Sequence, residues 1–538
     1  MTLQKLIKYG MKKLLRNDML QIYFGAFLWT IAGFIVLYNS NSLPGVDVYF
    51  HIRLSEIMKT NGVVLESFPW TTYSVWNNNF FDKDWLFHVY LIPFLSLGSI
   101  TGAKTALLFL IFINGIAWGM LSKALKNKYI FLTLTLILLC SGYAFLGRLL
   151  LLRSHLFSIF FLAISLIYIV KKKRISLTIL SILYCLTYTG SWQIIPIALI
   201  FDLVEILRNS YELSWDQKSK KYNIKDVFKY IPLQIKQHNF IFIWALLGIL
   251  IGTLINPYYP NNISGGFLQN IMVLKNSWLG NSGTSIRMGD ELYALSTIKI
   301  FTVYLPTIII MISGIFYLIN CRHNRLSYKL ITFGLLSVGY FTLTLITQKF
   351  TDYFVPITII FVALCVQNAT ILNKTFRIIS ASVIILILLF FGYYSICRLR
   401  KDTVRKYPEY SGATNWLNRN IEVKDNDIPN KTIFTANWSV TPLLFYGSPQ
   451  FKYLVFLEPY FMYSYSPEKY KIWKNISEGK TLFPAIKIKR EFNSDIVFLT
   501  KYNRKLFKTL SSSKFAKLKY QGPDGESIFI LNVPNSLY

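Results

Sequence analysis

The chain has 538 residues, of which 53% are hydrophobic and only 15% charged, and 57 Lys and Arg face 26 Asp and Glu for a net charge of +31. Soluble domains carry about 25% charged residues, so this composition excludes an ordinary soluble protein and points to a membrane one. The basic residues are spread between apolar runs, which excludes nucleic acid as their reason and favours anionic lipid surfaces or lipid-linked phosphates as partners.

At the N-terminus, residues 1–19 (MTLQKLIKYGMKKLLRNDM) are basic and amphipathic, as an anchor at the cytoplasmic face would be. They do not read as a cleaved signal peptide, because the apolar run that follows is too long and has no small-residue cleavage site. That run, 20–37, suits one helical crossing of a bilayer core. The first loop, 41–84, then opens on a polar cluster, Asp47-Val-Tyr-Phe-His51-Ile-Arg53-Leu-Ser-Glu56. An aromatic and polar run follows, from Phe68-Pro-Trp-Thr-Thr-Tyr73 to Asn77-Asn-Asn79. A second acidic group, Asp82-Lys-Asp84-Trp-Leu-Phe-His88, leads into the short apolar stretch 85–100.

Ten further spans are expected at 104–122, 129–147, 153–170, 175–190, 192–207, 239–256, 296–319, 328–347, 353–370 and 376–397. If 85–100 is half-inserted, the clusters Lys123/Lys126/Lys128 and Lys171-Lys-Lys-Arg174 fall inside. So do the basic loop 208–238, Arg322 with Arg325, and Lys374 with Arg377. This satisfies the positive-inside rule throughout and gives about eleven crossings. Re-entrant backbone is tolerated only where protein or a cavity surrounds it, so 85–100 itself hints at a site. The first loop, the corner 148–155, the turn Tyr188-Thr-Gly-Ser-Trp192, the loop 257–295, the turn 348–353 and the tail then share the outer face.

The tail changes character. Its short apolar runs TIFTANWSVTPLLFYG, KYLVFLEPYF, DIVFLTKY and ESIFILNV, bounded by Pro, Gly and Asn, read as strands, and 411–420 reads as a helix. The expected architecture is an α-helical polytopic membrane domain over 1–400 followed by a compact soluble α/β domain over 401–538. The five cysteines (Cys140, Cys185, Cys321, Cys365 and Cys397) lie in or beside spans and form neither a disulfide framework nor a zinc spacing.

Acids, an imidazole and a guanidinium packed beside a membrane are costly unless they face a cavity or one another, so the first loop is expected to build a polar site. Asp82 and Asp84 could hold a divalent metal, Mg or Mn, together with Asp47, because hard cations take carboxylate oxygens. The acidic pair Asp290-Glu291 reads as a solvated turn, and His88 as structural.

The pattern Asp-x-Tyr-Phe-His-x-Arg-Leu-x-Glu of Asp47 to Glu56 resembles the first external loop of GT-C glycosyltransferases, which include oligosaccharyltransferase catalytic subunits and many bacterial membrane proteins. Phe68-Pro-Trp-Thr71 and Asp84-Trp85-Leu86 resemble the continuation of that loop. Arg153-Ser-His155-Leu-Phe-Ser158 and Asn256-Pro-Tyr258 are further matches. The resemblance implies a multi-pass protein of a bacterial plasma membrane, with the N-terminus cytoplasmic and the tail extracytoplasmic. It implies transfer of a sugar from a polyprenyl-phosphate or -pyrophosphate carrier to a glycan, lipid or protein acceptor on the outer face. The family's catalytic aspartate aligns with Asp47, expected to act as the base on the acceptor hydroxyl. A lipid-phosphate leaving group needs cations held in place beforehand. Arg53, Arg153, Arg287 and Lys349 are the candidates, and His51, Glu56, Asp84 and His155 complete the expected substrate site.

Two other readings compete. A flippase or polymerase subunit would line both halves of the membrane with polar residues, whereas here they gather on one face. An oligosaccharyltransferase would carry Trp-Trp-Asp-Tyr-Gly in its tail. The corresponding segments, Ala436-Asn-Trp438-Ser-Val440 and Leu444-Phe-Tyr446-Gly447, lack the aspartate.

The topology makes a direct prediction. A tag after Tyr538 and a cysteine introduced near position 78 label from outside the cytoplasm, while the loop 208–238 is protected. A cytoplasmic C-terminus in the same accessibility assay overturns the eleven-crossing arrangement.

Overall fold

A computed structural model describes residues 17–537 except 78, 141, 217–220, 223, 273–274, 276–285, 287–288, 321–326, 369–373 and 423–428. Most of the N-terminal amphipathic segment, Cys321, Arg322, Arg325 and Arg287 therefore lie outside the described residues. The first helix, Asp18–Leu37, begins where the Asn17 side chain accepts hydrogen bonds from the backbone N–H of Met19 and Leu20. It packs along Ser99–Ala124 on small residues: a Cβ at Gly115 would stand 2.6 Å from Ala26 Cα. Its buried Trp29 donates Nε1–H to the Leu134 carbonyl at 2.9 Å, tying it to Ile130–Leu139.

Among the described residues, five helices are long and apolar enough to cross a membrane: Asp18–Leu37, Ser99–Ala124, Thr189–Leu213, Tyr328–Ile346 and Gln348–Gln367. Two bent pairs raise the number to as many as seven. Shorter apolar helices include His155–Val170, Arg174–Thr187 and Ile300–Phe316. The sequence placed one span over 129–147; the structure breaks it into Ile130–Leu139 and Tyr143–Leu149, bent by 95°. Gly142, at φ +57°, stands in the break, a conformation glycine adopts without a Cβ penalty. The break swings Arg148 out of line with the apolar run. The basic loop 208–238 is also more ordered than expected: it holds the hairpin β1 (Trp215–Asp216) and β2 (Lys221–Tyr222) and the helix Ile224–Gln237. The stretch 85–100 forms the short helices Trp85–Leu91 and Phe94–Leu97. At 1.5 Å per residue, Trp85–Leu97 reaches roughly 20 Å, short of the ~30 Å of a hydrocarbon core.

The last long helix, Lys374–Thr403, runs directly into the tail. There the chain forms the helix Ser411–Asn420 where the sequence placed one, and a five-stranded sheet. Its strands are β3 (Thr432–Thr435), β4 (Lys452–Tyr453), β5 (Ile496–Leu499), β6 (Ala516–Gln521) and β7 (Ser527–Leu531), in the order β4-β3-β5-β7-β6. The pairs β4–β3 and β3–β5 are parallel, while β5–β7 and β7–β6 are antiparallel. β5 is buried along its whole length, which explains its unbroken apolar sequence. β6 was not foreseen. It is a mostly exposed edge strand in which Lys517 and Lys519 interrupt the apolar signal, as charges on an edge discourage pairing with other chains.

The tail is locked to the first loop. Phe50, on the loop helix Asp47–Asn61, lies within 6.2 Å of the rings of Phe68 and Trp76 from its own loop and of Phe445 and Phe456 from the tail. Backbone joins them as well: Thr71 bridges to Tyr453, Tyr453 N–H donates to the Trp70 carbonyl at 2.7 Å, and Trp70 Nε1–H donates to the Pro449 carbonyl at 2.6 Å. Phe50 is buried, so Phe50→Ala empties the centre of this cluster and costs about 3–5 kcal/mol. Its expected readout is faster proteolysis of the tail, with the change Val338→Ala at an exposed position as the neutral control.

Candidate active site

One cavity, of about 90 Å³, gathers most of the charged residues singled out from the sequence. The first loop contributes Asp47, His51, Lys83 and Asp84, and the corner after the broken helix contributes Arg148, Arg153, Ser154 and His155. Tyr188, Thr189, Asn270, Glu291, Leu292, Lys349 and, from the tail, Leu457 and Glu458 complete the wall.

Opposite charges alternate along one side. Arg148 grips the fully buried Asp352 in a two-pronged pair, Nε to Oδ1 at 2.8 Å and Nη2 to Oδ2 at 2.7 Å. Its Nη1 donates to Glu291 Oε2 at 2.6 Å. Glu291 also accepts from Arg153 Nη1, at 3.1 Å to each oxygen, and Arg153 Nη2 lies 3.1 Å from Asp47 Oδ2. Burial alone would raise the Glu291 carboxyl, but Arg153 and then Arg148 outweigh it and hold the group well below the usual carboxylate range. Glu291 thus sits on a turn and keeps 32% exposure, but its carboxylate bridges two guanidinium groups instead of standing free in solvent. Asp290 beside it begins a short 3-10 turn.

On the other side, Asp82 Oδ2 accepts from His88 Nδ1 at 2.6 Å, and His88 Nε2 meets His51 Nδ1 at 2.7 Å. A carboxylate at one end fixes the order of donors: His88 donates to Asp82, and His51 donates to His88. Burial first, and His88 second, hold His51 well below its ordinary value, so its imidazole is neutral. His155 donates Nε2–H to the Arg148 carbonyl at 2.9 Å and thereby ties the corner together. Lys349 lies 5.4 Å from the centre of the Tyr188 ring and has no carboxylate partner within 4.0 Å among the described residues.

Two expected site residues lie elsewhere. Arg53 Nη1 pairs with Glu56 Oε2 at 2.8 Å, one helical turn on, and its Nε donates to the Tyr446 carbonyl at 3.1 Å. Glu56 also accepts from the Ser99 hydroxyl. Neither lines the cavity; they clamp the loop helix to the tail and to the helix Ser99–Ala124. Arg287 lies outside the described residues. Arg148, Asp352 and Glu458 were not singled out as site residues. The first two had a readable signal, since single charges at the ends of apolar runs are expensive unless paired.

The donor set fits a divalent metal poorly. Asp47 is engaged by Arg153, Asp84 has Lys83 Nζ at 3.7 Å, and four cations line the same cavity. Among the described residues no three His, Cys, Asp or Glu side chains gather as a metal site. In the structure Asp47 and Asp84 are two carboxylates placed among cations.

Removing one partner of the buried pair leaves the other charge stranded. Asp352→Ala is expected to cost about 3–5 kcal/mol, while the double change Arg148→Met/Asp352→Leu recovers most of it. Thermal melting of the detergent-solubilised chain checks both.

No family model and no curated protein sequence matches the chain. Solved structures match it in shape. Oligosaccharyltransferase AglB from Archaeoglobus fulgidus, in complex with an inhibitory peptide and a dolichol-phosphate, aligns with a TM-score of 0.58 at 13% identity, over 95% of this chain and 75% of AglB. An oligosaccharyltransferase from Archaeoglobus fulgidus tethered to an acceptor peptide containing the NVT sequon gives 0.59 at 13% identity, over 95% of this chain and 74% of that one. Arabinofuranosyltransferase AftD from Mycobacteria gives 0.50 at 10% identity, over 96% of this chain and 40% of AftD. At such identities the likeness is one of architecture alone: the chain shares its fold with these glycosyltransferases.

Proposed function

We propose that the chain is an integral-membrane glycosyltransferase that moves a sugar from a polyprenyl-phosphate or -pyrophosphate carrier to an acceptor on the outer face of the membrane. One observation carries the reading. In a GT-C fold, a single cavity holds two cations suited to a phosphate, Arg153 and Lys349, beside the first-loop carboxylate Asp47. Fold alone does not give function, so the argument rests on this chemistry.

As the bond from sugar to carrier breaks, negative charge grows on the phosphate oxygens. Cations already fixed in place stabilise that charge without reorganising. The Arg153 guanidinium is held by Asp47 and Glu291, and its planar fork suits paired phosphate oxygens. Lys349, with no carboxylate within 4.0 Å among the described residues, supplies a point charge to the same group. Asp47 enters first through Arg153, bound by Oδ2, and its Oδ1 is left for the acceptor. Four cations beside the carboxylates make a divalent ion dispensable in this reading. About eleven crossings, a cytoplasmic N-terminus and an extracytoplasmic tail in a bacterial plasma membrane belong to the same proposal, as does a glycan, lipid or protein acceptor.

Oligosaccharyl transfer to protein is the second reading, supported by the likeness in fold to AglB. Against it, the tail segments 436–440 and 444–447 carry no acid to read a peptide. Purified chain given undecaprenyl-phosphate sugars decides between them: transfer to glycosides supports the first reading, and transfer only to an Asn-x-Thr peptide supports the second.

The site residues give the sharper expectation. Arg153→Lys keeps charge but loses the fork, so kcat falls by about 10²-fold, and Arg153→Ala falls further. Asp47→Asn releases Arg153 and loses a similar factor, whereas Lys349→Ala mainly raises the donor KM. Chelation with EDTA leaves turnover unchanged. Full activity of Arg153→Lys would reduce Arg153 to a headgroup anchor, and loss of activity with EDTA would restore the metal.

A further inference from the structure

The acids of the cavity are not equivalent. Asp47 is engaged by Arg153, Glu291 by Arg148 and Arg153, and Asp84 has Lys83 at 3.7 Å. Glu458 differs: its Oε2 is buried with no hydrogen-bond partner, and no cation lies within 4.0 Å of it among the described residues. Such orphan oxygens are rare in folded proteins and call for an explanation. The local backbone is built to produce this one. Leu457 adopts φ +52°, a left-handed conformation unfavourable for a leucine, and strain of this kind collects at functional sites. Glu458 then stands at the N-cap of the helix Pro459–Tyr465, yet its side chain forgoes the capping bond and lines the cavity instead.

We propose that Glu458, carried in by the tail, is the proton acceptor of the transfer step. The inference rests on the glycosyl-transfer reading and names the base within it. The acceptor oxygen bonds to the anomeric carbon while the carbon–oxygen bond to the carrier phosphate breaks. The bonding pair leaves on the phosphate oxygen, met by Arg153 and Lys349, and the hydroxyl proton passes to the Glu458 carboxylate. Atoms and charge balance without a further reactant, and Glu458 returns its proton to water before the next turnover. Asp47, expected from its motif to be the base, instead holds Arg153 and the acceptor.

The surroundings suit the task. Burial is the largest influence on the Glu458 carboxyl and raises it. Asp47 and Glu291 add to the rise, Lys83 and Lys349 oppose it, and the group ends up at about 7. A base works best with such a value near the operating pH. Glu458 is protonated and idle below about 7 and ionised above it, so turnover rises as pH passes upward through that point.

The test uses the full chain in nanodiscs of phosphatidylethanolamine and phosphatidylglycerol. The donors are undecaprenyl phosphate bearing labelled glucose, mannose or arabinofuranose, and the acceptors are octyl glycosides and water. Wild-type kcat is expected to rise through pH 7. Glu458→Gln lowers kcat by about 10²–10⁴-fold and abolishes that rise. It leaves the donor KM and retention of undecaprenyl phosphate unchanged, and it melts no lower than wild type at pH 8, because an ionised, unpartnered carboxylate has been removed. Glu458→Asp keeps a fraction of the rate and a pH-dependent rise. Near-normal kcat in Glu458→Gln with the rise intact overturns the assignment and leaves the glycosyl-transfer reading standing. So does a loss confined to donor KM or to melting temperature, which would mark a structural role. A wild-type chain that neither transfers nor hydrolyses any of the three donors overturns the reading and the base together.

Discussion

The alternating chain of charges Asp352–Arg148–Glu291–Arg153–Asp47 is the constraint on which the rest of the site depends. Its members come, in that order, from the helix Thr351–Asn368, the second half of the broken span, the 3-10 turn Asp290–Leu292, the corner between the broken span and the helix His155–Val170, and the first-loop helix Asp47–Asn61. Withdrawing these five charges partly from water costs desolvation, and such networks are weak contributors to net stability. Their force lies in geometry. Each guanidinium is held from two sides, so neither it nor the element bearing it can shift without stranding a charge. A network of this kind explains why the span 130–149 breaks where it does: a straight helix would carry Arg148 along the apolar run, away from Asp352.

A second constraint acts from the tail. Phe50 and its ring of aromatic neighbours fix the loop helix against Phe445 and Phe456, while Arg53 reaches across to the Tyr446 carbonyl. The turn at Leu457 follows directly from that anchored segment, so the packing that stabilises the loop also places Glu458. Stability and chemistry are thus divided along the loop helix. One face presents Asp47 and His51 to the cavity, and the other is committed to apolar and ionic contacts with its neighbours.

Much of this was legible in the sequence, for identifiable reasons. Asp47, His51, Asp84, Arg153, His155 and Lys349 stand at the ends of apolar runs or in the first loop, where polar groups are costly without a purpose, and all six line the cavity. Arg53 and Glu56, which the motif also carries, pair on one helix face as their i,i+3 spacing allows and do not line the cavity. Glu291 looked solvated because its partners are 143 and 138 residues away in the chain, and local spacing says nothing at that distance. Glu458 sits inside KYLVFLEPYF, which reads as a strand. Only the left-handed turn at Leu457, invisible to periodicity, turns its side chain into the cavity. The strands β3, β5 and β7 announced themselves by apolar runs, whereas β6 was masked by the lysines that keep an edge soluble.

The aromatic interlock also fixes an order of events during synthesis. Phe50 leaves the ribosome 395 residues before Phe445. At about 5–20 residues per second, the apolar face of the loop helix waits roughly 20–80 s for the segment that covers it. During that interval the carboxylates and guanidinium groups of the bundle can already assemble, but the wall bearing Glu458 does not yet exist. The nascent protein therefore has a built-in delay: its spans can settle in the membrane while the cavity stays open on one side, and the site closes only when the tail segment bearing Glu458 emerges.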